Sequence, residues 1–337
     1  MKTCIVIPNW NGADIIAECL SSLQEQTYTD EIIVVDNAST DNSIELINKK
    51  FPAVTIIKND KNLGFTGGVN VGIEHAIKQG ASYVALFNND ATADKKWLHE
   101  LVGFLDKQPG AGIATCKFID SNTKLIDNTG EGYSVWGLPF PRGRGESDSN
   151  QYDDKIWIFG ASGGASLYRV SMLKQIGLFD NDFFAYYEDV DLSFRAQLAG
   201  WKVGYVPSAV AYHQIGATSS KIKGFTTYQT LKNLPLLVLK NVPHRYLFRV
   251  GWRYLLAHFS FFVSAVKRGN GWQALKGDSK GSYLLFTGLK KRRKIQKSKK
   301  VSDDYIWGIL THDLPPNAGK LRALRAGWWR MIGKRHE

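Results

Sequence analysis

Three carboxylates in four positions, Glu188, Asp189 and Asp191, follow an aromatic run in the stretch FFAYYEDVDLSFR (Phe183 to Arg195). Acids against aromatic walls can form a general base tuned by partial burial. They can equally be the acidic first turn of a helix, attracted to the positive end of its dipole. Val190, Leu192, Phe194, Ala196, Leu198 and Ala199 predict a helix from about Val190, stopped by Gly200. Asp191 and Arg195 then stand four apart on one face, which makes Asp191 the structural acid. Glu188 and Asp189 fall in the turn before the helix, with Asp189 at or next to the N-cap. The dipole favours an ionised Asp189 and burial opposes it, and the sequence leaves that contest open.

Other chemistry-bearing residues follow apolar runs. Asp36 directly follows EIIVV and can accept a hydrogen bond from the imide N–H of a uracil or thymine, or simply belong to the turn DNASTD. Thr40 or Asp41 in the same turn is expected to cap the next helix. Asp90 closes ALFNND behind two amides, Asn88 and Asn89. Hard oxygens of this kind suit Mg²⁺ or Mn²⁺ bridging a diphosphate, because the phosphates supply further ligands; an ordinary Asn-Asp turn is the alternative. His213 ends VGYVPSAVAYH and is either structural or a nitrogen ligand returned by the chain to Asp90. Gly64, Gly67 and Gly68 in NLGFTGGVNVGI are read as a turn leading into a helix whose N-terminus could receive an anion. The spacing is GxxGG and not GxGxxG, so the dinucleotide fingerprint is absent and an ordinary tight αβ loop is the favoured reading. GASGGASLYR (Gly160 to Arg169) reads as a small, flexible segment before a helix, open to close approach of a substrate.

The elements that must position these residues are legible in the first half. CIVI, EIIVV, VTIIK and YVALF are continuous apolar runs, as expected of parallel strands buried on both faces. Between them Ile15, Ile16, Cys19, Leu20 and Leu23 keep a helical period, as do Ile44, Leu46 and Ile47, and then Val69, Ile73, Ala76 and Ile77 before Gly80. The alternation predicts a Rossmann-like α/β sheet with right-handed crossovers. Its polar clusters all follow strands, where open α/β sheets bind ligands, so they describe one site. From about Gly216 the sequence turns helical, aromatic and basic, broken by KKRRKIQKSKK.

The charge divides the same way. From Trp201 onward there are 26 Lys and Arg against 5 Asp and Glu, and before it 17 against 26. A basic half of this kind faces something anionic, nucleic acid or a phospholipid surface. In the final helix Leu321, Leu324, Trp328, Met331 and Ile332 share one face, with Arg322, Arg325, Arg330 and Lys334 largely elsewhere. That arrangement, with the aromatic segment around Phe259, Phe261 and Phe262, fits an interfacial helix and favours an anionic membrane surface over nucleic acid, with a merely solvated charge run as the remaining alternative. The longest greasy segment, Tyr254 to Val266, is too short to span a bilayer. Cys4, Cys19 and Cys116 form no CxxC pair, so neither a disulfide framework nor a thiolate metal site is indicated, and a reducing cytoplasm is expected. The amino terminus, with Pro8 and Asn9 ending its apolar run, is not expected to be a signal peptide.

In order, VIPNWNG, EIIVVDNASTDNS, NLGFTGGVNVGI, LFNND, GASGGASLYR and FFAYYEDVDLSFRAQLAGWKVGYVPSAVAYH resemble the family 2 glycosyltransferases of the GT-A fold, most of all their bacterial rhamnosyltransferase-like branch. The resemblance covers residues 1–215, implying a nucleotide-sugar-binding and catalytic domain there and a helical, membrane-associating region over 216–337. It implies that Pro8, Asn9, Asn11 and Asp36 hold base and ribose, and that Phe65 and Asn70 lie near the nucleotide-sugar with Asn88, Asn89 and Asp90. Asn88 replaces the first Asp of the family's DxD motif, which leaves Asp90, with His213, to hold Mg²⁺ or Mn²⁺. A metal-free mode stays open. Glu188 and Asp189 match the family's ED element, in which the Asp is the proposed base. The implied reaction is inverting transfer from dTDP-L-rhamnose, or another dTDP- or UDP-sugar, to a lipid-linked or polysaccharide acceptor. Cell-envelope glycan assembly at the inner face of the membrane is the implied setting. A nucleic-acid-binding protein on a Rossmann-like domain and a non-catalytic sugar-nucleotide sensor are the alternatives, and homo-oligomerisation is left open.

Overall fold

The computed structural model describes residues 1–28, 30–214, 222–316, 318, 319 and 321–323. Four of the apolar runs become β1 (Thr3–Asn9), β2 (Glu31–Asp36), β3 (Thr55–Lys58) and β4 (Tyr83–Phe87). They lie in the order β4-β1-β2-β3, all parallel. The helices α1 (Ile16–Gln24), α2 (Ser43–Lys50) and α3 (Gly64–Lys78) make the crossovers. Alternate strand residues enter two cores: Ile5, Ile7 and Val34 pack with Leu20, while Cys4, Val6 and Val35 pack with Val69 and Ile73. Burial on both faces is why these strands show no polar alternation.

Beyond β4 the sheet becomes mixed. β11 (Ala165–Arg169) lies antiparallel between β4 and β6 (Ala111–Asp120), and β12 (Lys202–His213) runs parallel to β6. The segment ASLYR is therefore a strand and not the flexible stretch expected: Leu167 enters one core and Tyr168 the other. Short strands complete this half. β5 (Ala91–Ala93) pairs with β12, β7 (Ile126–Asn128) with β6, β8 (Glu131–Tyr133) with β9 (Pro139–Pro141), and β10 (Trp157–Ile158) with β12. α4 (Trp97–Lys107) and α5 (Val170–Ile176) pack against the sheet.

Two helix starts differ from expectation. α3 begins at Gly64, so Gly64, Gly67 and Gly68 form its first turns and not a loop ahead of it. α6 (Glu188–Leu198) starts two residues before Val190, with Tyr187 in the left-handed region as its N-cap. Asp189 is therefore inside the first turn.

The chain then forms α7 (Phe225–Asn241), α8 (His244–Lys267), α9 (Gly271–Lys297) and α10 (Asp303–Ile309). The charge run KKRRKIQK does not break the helix; it continues α9, because Lys, Arg and Gln are good helix formers. The expected boundary at 215/216 falls within 215–221, outside the described residues. Leu234, Leu237, Val250 and Ile306 from the later helices share one core with Tyr133, Phe159, Phe183 and Phe194. Of the expected final interfacial helix, Leu324, Arg325, Trp328, Arg330, Met331, Ile332 and Lys334 lie outside the described residues.

Candidate active site

Strand pairing brings Asp90 and His213 together. His213 lies opposite Ala91 in the β12–β5 register, which puts its Nε2 3.2 Å from Asp90 Oδ1. Its Nδ1 is 2.8 Å from Asp127 Oδ2, and its ring stacks on Phe118 at 4.7 Å. Burial alone would lower the imidazole's pKa, but the Asp127 and Asp90 carboxylates outweigh it and hold the value at about 9. Asp127 also binds Arg144, whose guanidinium is 2.6 Å from Asp127 Oδ1.

A cation fits this corner with only two protein ligands. Asp90 Oδ1 is a buried oxygen with no hydrogen bond aligned to it. The carboxylate on the far nitrogen of His213 is the partner that fixes the tautomer and orientation of metal-binding histidines. Among the described residues no group of three or more His, Cys, Asp or Glu could hold a metal, so a cation held here by Asp90 and His213 would need further ligands from elsewhere.

At the carboxyl end of β2, Asp36 is buried and accepts the Ser39 N–H at 3.2 Å through Oδ2. Its Oδ1 is buried without a hydrogen-bond partner, an acceptor still to be used. Asn9 beside it joins Ser43 and Asn89: its Nδ2 donates to Ser43 Oγ at 3.1 Å and its Oδ1 accepts from Asn89 at 3.0 Å. Asn11 Oδ1 accepts the Thr40 N–H at 2.8 Å and so shapes the same turn. Asp41 takes the Ser43 and Ala13 amides at 3.1 and 2.9 Å, a structural role, but the N-cap of α2 is Asn42 and not the expected Thr40 or Asp41.

The acidic stretch divides between two environments. Asp191 is fully buried and bound by Arg195 at 2.9 Å, Lys240 at 2.8 Å and Asn241 at 2.8 Å. Burial would raise its pKa, but the Lys240 and Arg195 cations bring the value down. Asp189 has no cation beside it: Oδ2 accepts the Gly163 N–H at 2.9 Å and Oδ1 the Val190 N–H at 2.8 Å. Burial outweighs these amides, so its carboxyl sits above the ordinary range. That resolves the contest the sequence left open. Glu188 is buried, with Oε2 unpartnered, and burial followed by the charge of Asp189 pushes its pKa well up. A Cβ at Gly163 would stand 3.1 Å from Phe65 Cζ, a tight contact that glycine avoids.

The loop before α6 is strained. Phe184, Tyr186 and Tyr187 have φ of 65°, 70° and 71°, values rare for bulky residues. α7 holds them: Asn233 Nδ2 reaches the carbonyls of Phe183, Ala185 and Tyr186 at 3.0, 2.8 and 2.9 Å. Lys232 Nζ donates to Phe183 O at 3.0 Å.

One cleft of about 650 Å³ joins these parts. Of the expected residues, Pro8, Asn9, Phe65, Asn88, Asn89 and Asp90 line it, together with Glu188, Asp189 and His213. Asn11 and Asp36 are not among its lining residues. Asn70 does not reach the cleft; its amide is spent on Phe179 N and O at 3.0 and 2.8 Å and on Asn181 at 3.0 Å. Sequence reasoning missed Asp127, Glu131 and Arg144. Glu131 lines the cleft from the β8–β9 hairpin, with Oε1 2.5 Å from Asn128 Nδ2. Burial, then the charge of Asp189, pushes its carboxyl up to about 8. The only signal for these residues is a glycine-flanked NTGEG and PRGRG, which has no periodicity to place it.

The mixed α/β sheet with one polar cleft at its strand ends has its structural neighbours among glycosyltransferases of the GT-A fold. The crystal structure of S. aureus TarS 1-349 shares the fold at TM-score 0.54 and 17% identity, covering 88% of this chain and 91% of that one. So does the mannosyltransferase PcManGT from Pyrobaculum calidifontis, solved with GDP-Man and Mn²⁺, at TM-score 0.54 and 16% identity over 88% and 85%. Residues 4–177 match the family model "Glycosyl transferase family 2", and the chain belongs to that family. N-acetylglucosaminyl-diphospho-decaprenol L-rhamnosyltransferase of Mycobacterium tuberculosis (strain ATCC 25618 / H37Rv) is 29% identical over 204 residues, 54% of this chain and 66% of that relative, just under two thirds. Galactofuranosyltransferase GlfT1 of the same strain is 30% identical over 222 residues, 64% of this chain and 71% of that one.

Proposed function

We propose that this family 2 glycosyltransferase moves L-rhamnose from dTDP-L-rhamnose, with inversion, onto a lipid-linked or polysaccharide acceptor in cell-envelope glycan assembly. The carrying observation is that Asp90 with His213, and Asp189 with Glu188, open on one cleft. The donor assignment is supported by the rhamnosyltransferase relative, whose name also gives a diphospho-decaprenol acceptor.

The residues divide the work by position. Pro8 and Asn9 line the nucleotide end, Asn11 shapes its turn, and the free Oδ1 of Asp36 accepts the imide N–H of the base. Phe65, Asn88 and Asn89 flank the sugar and diphosphate. Asp90 and His213 would hold Mg²⁺ or Mn²⁺, which supplies positive charge to the departing diphosphate. Asp189 takes the acceptor hydroxyl proton as that oxygen attacks the anomeric carbon opposite the leaving group. Its two amide bonds aim the carboxylate, and the absence of a neighbouring cation keeps it basic. Glu188 borders the acceptor side. Asn70 takes no part in this reading. Residues 1–215 form the catalytic portion and the basic helices beyond it associate with an anionic membrane surface on the cytoplasmic side.

Isothermal titration with dTDP-L-rhamnose and with UDP-sugars, each with and without Mn²⁺, tests the donor. The reading expects tighter binding of dTDP-L-rhamnose and a further gain with Mn²⁺; preference for a UDP-sugar would overturn the donor assignment.

A further inference from the structure

Among the described residues, α8 carries an apolar stripe that is left largely exposed. Phe248, Trp252, Leu255, Phe259 and Val266 recur at helical spacing and are all exposed, Phe248 by 83%. α9, joined to α8 by a short turn, exposes Trp272, Leu275, Tyr283 and Phe286, the last by 76%. Its opposite face is a row of small residues, where Gly277, Gly281 and Gly288 let α7 approach. Isolated exposed apolar residues are ordinary, but stripes of aromatic and aliphatic side chains on adjoining helices mark an interaction surface.

The charges around the stripes indicate what covers them. Residues 244–300 hold 15 Lys and Arg against one acid, Asp278. That acid is held by His258, Nε2 to Oδ1 at 2.6 Å, and stitches α9 to α8. Lys276 and Lys280 lie over the rings of Trp272 and Tyr283 at 5.1 and 4.7 Å. A second copy would bring the same positive charge to the contact, and a nucleic acid would leave the apolar stripes exposed to water. An anionic bilayer satisfies both: apolar side chains enter the acyl boundary, and Lys and Arg meet the phosphates. No helix among the described residues is long and apolar enough to cross a membrane, so the contact lies in the interface plane.

We propose that the exposed α8–α9 face is the membrane-docking surface of this enzyme, its apolar stripes seated among anionic phospholipid headgroups. The face also sits beside the acceptor side of the cleft. Trp252 of α8 meets Trp136 at 6.3 Å, in the turn of the hairpin whose Glu131 and Pro139–Pro141 line the cleft. Docking there delivers a lipid-borne acceptor along the hairpin wall. The docking face rests on the membrane association proposed above, and the delivery of acceptor rests on the acceptor reading.

The test is co-sedimentation of the full chain with phosphatidylglycerol–phosphatidylcholine vesicles and with pure phosphatidylcholine vesicles, with neither donor nor acceptor present. The wild type is expected to bind the anionic vesicles, and more weakly as salt shortens the Debye length. Phe248→Glu, Leu255→Glu and Phe259→Glu combined should lower the partition coefficient at least ~100-fold, with an unchanged melting temperature because these side chains are exposed. Equal vesicle binding by wild type and triple variant would overturn the proposal. So would a wild type that ignores vesicles and elutes as a dimer split by the triple variant, which assigns the face to a second copy. A lowered melting temperature with no loss of vesicle binding would assign it to another segment of this chain. Failure of the donor titration would leave the docking result standing.

Discussion

Asp189 and Asp191 lie two positions apart in one helical turn, yet their surroundings push their acidities in opposite directions. Asp191, fully desolvated, remains charged because Arg195 and Lys240 surround it. Leaving that pair of cations uncompensated is costly, so Asp191→Ala is expected to destabilise the fold by about 3–5 kcal/mol in denaturant melts. Glu131 gives a second prediction. Its folded-state pKa of about 8 lies above the ordinary 4.5, so the folded protein keeps a proton that the unfolded chain has lost between these values. Stability attributable to Glu131 therefore falls as pH rises from about 4.5 to about 8. Glu131→Gln should melt like the wild type near pH 4 and exceed it above pH 8 by on the order of 1 kcal/mol. Melting curves whose pH dependence is unchanged by the substitution would contradict that assignment. His213 shows how position creates chemistry from a common residue. With Asp127 behind it and Asp90 in front, His213→Ala is expected to weaken stimulation by Mn²⁺, and Asp127→Asn to weaken it about 10–100-fold.

At the scale of elements, the strained loop before α6 depends on α7. Three bulky residues at positive φ cost roughly 1–3 kcal/mol each unless the surroundings fix them, and Asn233 binds three carbonyls of the same loop, those of Phe183, Ala185 and Tyr186. Asn233→Ala should lower stability by about 1–3 kcal/mol and reduce turnover more than donor affinity, since the loop aims the acids and not the nucleotide end. Unchanged turnover in that variant would separate the helices from the site. The first four strands and their polar ends were legible because a parallel sheet buried on both faces writes uninterrupted apolar runs. What was not legible was fixed by long-range pairing. β11 sits in a run of small residues, and its strand character comes from neighbours β4 and β6. Asp127, Glu131 and Arg144 come from short strands and turns joined to distant elements. α6 begins early because a left-handed Tyr187 caps it, where a Ser, Thr, Asp or Asn would have been the readable signal. Asn70 carried a family role in the sequence, but its amide is consumed by the 179–181 segment.

The whole molecule pairs an acidic sheet domain with basic helices, and the two share a hydrophobic core around Tyr133, Phe183 and Phe194. In this account the sheet's strand ends hold the nucleotide-sugar, α6 and its loop hold the base, and the later helices brace that loop and carry the docking face. Activity and stability should therefore be lost together when α7 is disturbed, whereas substitutions on the exposed α8 stripe should spare both in a soluble assay. The central claim is that Asp189 takes the acceptor proton in an inverting transfer. Its most direct test is Asp189→Asn, with single-turnover transfer from dTDP-L-rhamnose, product anomeric configuration by NMR and donor affinity by calorimetry measured on the same preparation. An inverted wild-type product, transfer slowed about 10²–10⁴-fold in the variant, and unchanged donor affinity are expected. A retained configuration, or a variant that transfers as fast as the wild type, would contradict that claim.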